Sequence, residues 1–236
     1  MNKLKPIAIL IKKMLEDRFG IEANYTFEGR SPWLLNIPSR IMYGEIWDEL
    51  SKVYGLLLDN TYNLEERITL ADEKSIKRLA RMDIWFGEPY NFICEFDENQ
   101  HFNQYRRLTL ENSYEYFKFS FNKEDYLEIC TSRIINPGTS GFHKLKSKDC
   151  LFPAMYEGEK QDNRLRQRAF RDFLKDIVPI YLGYNPTMRI NYKVTNGKIK
   201  GFDEDDLNCV KNYILKGNYL ENILNNRIKL LEVKLC

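Results

Sequence analysis

The segment from Arg81 to Phe102, RMDIWFGEPYNFICEFDENQHF, constrains the fold of this chain more than any other. A strand ending near Asp83 is predicted to be turned back by Gly87-Glu88-Pro89 into a second strand from Tyr90 to Asp97. Side chains two apart in a strand share a face, so Glu95 and Asp97 point the same way while Cys94 and Phe96 pack behind them. The turn would then bring Asp83 beside Glu95. Carboxylate oxygens are the hard ligands that magnesium prefers, and a bound magnesium can orient water and neutralise charge on a phosphodiester. The competing reading is an exposed hairpin whose acids are merely solvated; the apolar run Phe92-Ile93-Cys94 just before Glu95 weighs against it.

On these residues the chain resembles the restriction-endonuclease-like, or PD-(D/E)xK, nuclease superfamily, whose signature is an Asp followed by a Glu-x-Lys element. Asp83, Glu95 and Asp97 are the matching positions, with Asp97 where the usual lysine would stand. The run Glu95-Phe96-Asp97-Glu98-Asn99-Gln100-His101-Phe102 resembles the Glu-x-Asp-x-x-Gln-His variant of mismatch-repair-like and small bacterial nucleases, which often carry Gly where Glu98 stands. The resemblance covers roughly residues 81–192. It implies an α/β fold with a central mixed sheet flanked by helices, and with N- and C-terminal helical elaborations. It also implies magnesium, with manganese as a substitute, held by Asp83, Glu95 and Asp97. Gln100 would position water or phosphate, His101 would contact phosphate or assist proton transfer, and a helical glutamate, here Glu45, would serve as an accessory ligand. Glu49 and Glu65 rival Glu45 for that role, and a surface acid is the alternative for all three. A capping or partly buried role is the alternative for His101.

A second segment, Gln161 to Tyr192, carries Arg164, Arg168, Arg171 and Lys175 at helical spacing, with Leu165, Ala169, Phe173 and Ile177 on a neighbouring face. It reads as a helix with one basic face, followed by a turn at Gly183-Tyr184-Asn185 and a strand from Met188 to Tyr192. The net charge of +2 does not by itself mark a nucleic-acid binder, so local clusters must carry that role. The candidates are Arg106 and Arg107; Lys144, Lys146 and Lys148; and Arg164, Arg168 and Arg171. Each cluster alone is equally well read as a solvated face.

At 236 residues the chain is long enough for a substantial core, and a single nuclease domain over 1–236, with its catalytic core at 40–195, is the default reading. No stretch is long and apolar enough to span a membrane, no leader pattern begins the chain, and the five cysteines lack paired short spacing. A cytoplasmic protein with no membrane partner follows, and neither an oxidised scaffold nor a four-cysteine zinc site. With no glycine-rich phosphate cradle, no ATP partner is implied.

Outside the core, Lys3 to Phe19 reads as a helix stopped by Gly20, Asn24 to Pro38 as turn-rich, Ile41 to Leu58 as a second helix, and Lys123 to Arg133 as a third. Ile135 to Pro153 reads as a loop that either approaches a nucleic-acid groove or is inert. Asp203 to Leu215 and Tyr219 to Leu231 read as C-terminal helices. Trp33 and Trp47 read as core or partial core. The function expected first is a magnesium-dependent endonuclease on double-stranded DNA, of the type II restriction-modification class. A homodimer is expected if the site is palindromic. A repair or structure-specific nuclease, or an inactive nucleic-acid-binding module, is the alternative.

Overall fold

The computed structural model describes residues 2–112, 119–131, 149–153 and 162–221. At its centre four strands lie side by side in chain order: β1 (Tyr25–Phe27), β2 (Ile84–Phe86), β3 (Phe92–Asp97) and β4 (Met188–Asn191). The first two pairings are antiparallel and the third is parallel, so the sheet is mixed. A parallel pair needs a crossover. Here the crossover from β3 to β4 carries α5 (Gln104–Asn112), α6 (Lys123–Thr131) and α7 (Asn163–Tyr181). All six residues of β3 are buried, as expected of a strand covered on both faces.

The flanking helices follow the apolar spacing. In α1 (Lys5–Phe19) Ile7, Ala8, Ile11, Met14 and Leu15 enter the core, and the helix stops at Gly20, whose φ of 69° is left-handed. The helix expected from Ile41 starts later: backbone turns onto the Ser39 carbonyl use up Met42 and Tyr43, Gly44–Ile46 is a 3-10 turn, and α2 runs Trp47–Leu57. In α8 (Glu204–Lys216) Asp203 and Asp206 cap each other's backbone N–H at 3.0 Å, and α8 packs on α1. Both helical elaborations therefore sit together. The short elements β1, α3 (Leu64–Thr69) and α4 (Glu73–Ile76) lie in stretches that carry no clear period, as does α5. The loop expected over 135–153, with Lys144, Lys146 and Lys148, and the helix expected over 219–231 fall largely or wholly outside the described residues.

Two departures shape the site. The first strand of the hairpin begins just after Asp83 instead of ending there, and the second begins at Phe92, because Tyr90 and Asn91 both turn their N–H groups onto the Gly87 carbonyl and Asn91 takes a φ of 47°. In α7, Pro179 lacks the N–H that would bond the Lys175 carbonyl four residues earlier. Thr187, just before β4, donates its hydroxyl to that carbonyl at 2.6 Å.

Candidate functional site

The β2–β3 ladder ends at Ile84 opposite Cys94, and the next opposed pair is Asp83 and Glu95. There the two acids take over the ladder's hydrogen bonding. The Asp83 N–H donates to Glu95 Oε1 at 3.0 Å, and the Phe96 N–H donates to Asp83 Oδ2 at 3.0 Å. Each carboxylate is thus oriented by the backbone opposite it, and Asp83 lies beside Glu95 as the turn predicted.

The third partner comes from α7. Lys175 Nζ reaches Glu95 Oε2 at 2.5 Å. Burial pushes the Glu95 carboxyl up to about 7 even beside this cation. For Lys175 burial works against the charge, but Glu95, with Asp172 and Asp83 behind it, holds the ammonium above its ordinary value.

These groups open onto a cavity of about 550 Å³ lined by six arginines, Arg30, Arg78, Arg81, Arg164, Arg168 and Arg171, with Lys175, Asp83, Glu95, Gln100, His101 and Asp172. The lining therefore has seven permanent cations against three carboxylates. Arg164, Arg168 and Arg171 stand on one face of α7, as their spacing predicted. Burial and the neighbouring Arg164 pull Arg168 down to about 10, and burial does the same to Arg171 despite Asp149 at 3.2 Å. A half-buried crowd of like charges lowers its energy by taking up an anion.

Asp97 faces the same side as Glu95 but joins a different group. Arg189 Nη1 bonds its two oxygens at 2.8 and 2.9 Å, and the Tyr126 hydroxyl donates to Oδ2 at 2.9 Å. Arg189 continues to Asp176 at 2.5 Å and to the Asp172 carbonyl at 3.0 Å. Arg106 Nη2 approaches Asp176 Oδ2 at 2.8 Å. His101 Nδ1 stands 2.8 Å from Asp172 and 3.4 Å from Asp97. Burial disfavours charge throughout this group, yet Arg189 holds Asp97 below the usual carboxylate range, and Asp172 holds His101 above the usual imidazole value. Asp97, His101 and Asp172 present ligand atoms within 4.8 Å of one another, a donor set that could hold a metal ion. With His101 protonated, Asp97, Asp172 and Asp176 are already balanced by Arg189, Arg106 and the imidazolium.

The expected site residues therefore separate. Asp83, Glu95, Gln100, His101, Arg164, Arg168 and Arg171 line one cavity; Asp97 does not, because Arg189 and Tyr126 close over it. Arg106 leaves the expected DNA-contacting set, since it is 1% exposed and turned inward to Asp176. Arg107 is exposed and paired with Glu111 at 2.7 Å. Glu45 is an exposed residue of the Gly44–Ile46 turn and lies outside the cavity lining, so the structure does not bring it to Asp83. Sequence reasoning placed Lys175 on the basic face without foreseeing its contact with Glu95, and it missed Asp172, Asp176 and Arg189. The available signals were the i, i+4 pair of acids within the apolar side of α7 and a lone arginine inside the apolar strand Met188–Asn191.

Fold and site together define a mixed α/β protein in which a four-stranded sheet flanked by helices presents two hairpin carboxylates and a helical lysine to an arginine-lined cavity. The chain belongs to a family of unknown function, DUF7255, whose model matches residues 66–203, the stretch that holds the hairpin, α7 and β4. No curated protein and no solved structure matches the chain. Among the described residues no helix is long and apolar enough to cross a membrane.

Proposed function

We propose that the chain is a magnesium-dependent nuclease that hydrolyses DNA phosphodiester bonds at Asp83, Glu95 and Lys175. The observation that carries this reading is the meeting of these three side chains in one cavity that six arginines also line. The donor chemistry suits the metal: Asp83 and Glu95 offer oxygen alone, and the backbone N–H groups that orient them leave both carboxylates facing the cavity. A magnesium bound there would polarise a phosphoryl oxygen and supply an activated water.

The protein's own groups do the rest. The arginines of α7 receive the phosphates flanking the scissile one and fix its position. Lys175 supplies the cation that Asp97, in the superfamily's lysine position, cannot. From α7 it sets a positive charge beside Glu95, where negative charge on the phosphodiester grows in the transition state. Gln100 lines the cavity through an amide that donates to Glu98 at 2.9 Å, so it orients polar groups and takes no proton. The helix-then-strand order of α7 and β4 supports the superfamily resemblance in its second half.

The test is magnesium-dependent cleavage of plasmid and of linear, flapped and single-stranded DNA, with manganese as a second metal. Cleavage lost in folded Asp83→Ala and Glu95→Ala variants is the expected result. Discrete fragments from duplex would mark a restriction-type enzyme, and cutting confined to branched or unpaired DNA a structure-specific one. Salt-sensitive DNA binding with no cleavage of any substrate would replace the proposal with a binding module.

A further inference from the structure

Trp33, Trp85 and Tyr184 form an aromatic cluster; Trp33 and Trp85 pack against the margin of the core, as expected of partial-core residues, and stay part-exposed close in the chain to residues that line the cavity. The Trp33 and Tyr184 rings stack 4.6 Å apart at 27°, and Trp85 meets them at 5.6 and 5.9 Å. All three are half-buried, whereas the remaining tryptophan, Trp47, is in the core.

Three elements converge to hold the cluster beside the carboxylates. Trp85 follows Asp83 by two residues on the same face of β2, roughly 7 Å further along at the usual strand rise. Trp33 lies between Arg30 and Asn36, which both line the cavity. That segment is fastened to the approach to β2 by Met82 N–H to the Gly29 carbonyl at 3.0 Å, Ala80 N–H to Leu34 at 2.8 Å and Asn36 N–H to Arg78 at 3.0 Å. Tyr184 is tied by its N–H to the Pro179 carbonyl, at 2.8 Å, where α7 ends.

The order along α7 is informative. Arg164, Arg168 and Arg171 come first and Lys175 with Glu95 next, a span of roughly 16 Å from 164 to 175 at 1.5 Å per residue. The rings follow beyond the lysine. One end therefore suits phosphates and the other suits the flat face of a base. In intact duplex the base faces are stacked inside the helix and cannot reach such a platform.

Building on the nuclease reading above, we infer that Trp33, Trp85 and Tyr184 are a stacking platform for an unpaired base next to the scissile phosphate, so that the substrate offers a single-stranded stretch or flap at the site. Base–aromatic stacking tolerates any sequence because every base has such a face. The platform therefore selects strand state and not sequence.

Two of the chain's three tryptophans belong to the cluster, so intrinsic fluorescence reports on it directly. The wild-type chain in EDTA is titrated with a short oligothymidylate, an abasic oligomer of the same length and charge, and a duplex. Quenching by the oligothymidylate is expected, with affinity at least about fivefold above that of the abasic strand. Trp33→Ala should erase most of that ratio while leaving abasic affinity in place, and Trp33→Phe should restore part of it. Equal affinity for both strands without quenching overturns the inference, as does tighter binding of the duplex with the same emission change, or no binding of any nucleic acid. Quenching with no cleavage of any DNA would remove the hydrolytic proposal and leave the platform. Duplex cleavage that needs Asp83 but comes with no quenching would do the reverse.

Discussion

Glu95 and Asp97 stand two residues apart on one face of β3, both almost fully buried, yet their carboxyls are held in opposite directions. Burial penalises charge at both. At Asp97 a guanidinium bonded to both oxygens more than offsets that penalty and keeps the group ionised. At Glu95 a single ammonium on an open cavity does not, and the carboxyl rises to about 7. A shared strand face fixes where two side chains point; the partners that reach over it, Arg189 from β4 and Tyr126 from α6 against Lys175 from α7, decide which is closed and which stays on the cavity.

The sharpest way to break this comparison is to remove the arginine. Arg189→Met would leave Asp97 and Asp176 buried without their main counter-charge and should cost about 3–5 kcal/mol. Denaturant unfolding would measure the loss; a cost under about 1 kcal/mol would mean that the two carboxylates differ for some other reason. Next, Lys175→Ala should keep the fold and slow DNA cleavage by about 10²–10³-fold, read from single-turnover rates, with Lys175→Arg recovering only part.

Paired substitutions sharpen the contrast further. Asp97→Asn should cost about 1–3 kcal/mol in stability. Glu95→Gln should instead weaken magnesium binding by at least the ~10-fold that losing even an outer partner costs a metal site, as followed by calorimetry. Equal effects of the two on metal affinity would put Asp97 back in the open site.

A smaller effect is expected from pH. His101 is raised above 6.5 in the fold, so its pairing with Asp172 stabilises fully below that value and fades as pH climbs through the raised one. Asp172 is held low, so its share is present above 3.8 and is lost as pH falls through the lowered value. The advantage in denaturation midpoint of wild type over His101→Gln should therefore shrink as pH rises above about 6.5. Smallest of all, Glu45→Ala should change stability by no more than about 0.5 kcal/mol and leave cleavage intact.

How much of this was legible in sequence follows from how local each feature is. The hairpin, the meeting of Asp83 with Glu95 and the basic face of α7 depend on short-range period and a turn, and each is visible along the chain. The partition of the carboxylates depends on Arg189, 92 residues from Asp97 and brought in by a parallel pairing that no local pattern announces. Arg106 misled for the same reason. Next to Arg107 it reads as half of a surface cluster, but one turns out to Glu111 and the other inward to Asp176. The short strand β1 and the helices α3 and α4 have too few residues to show a period at all.

The hydroxyl of Thr187 on the carbonyl that Pro179 leaves open gives the molecule a dowel between α7 and the start of β4. The joint ends on the carbonyl of Lys175 itself, so a slide of the helix along the sheet that carried the lysine away would have to break it. Thr187→Val should therefore behave as a lesion of Lys175, although the two side chains do different work. By the same logic, a residue inserted between 182 and 187 would do more harm than one of equal size added to a loop that carries no such joint.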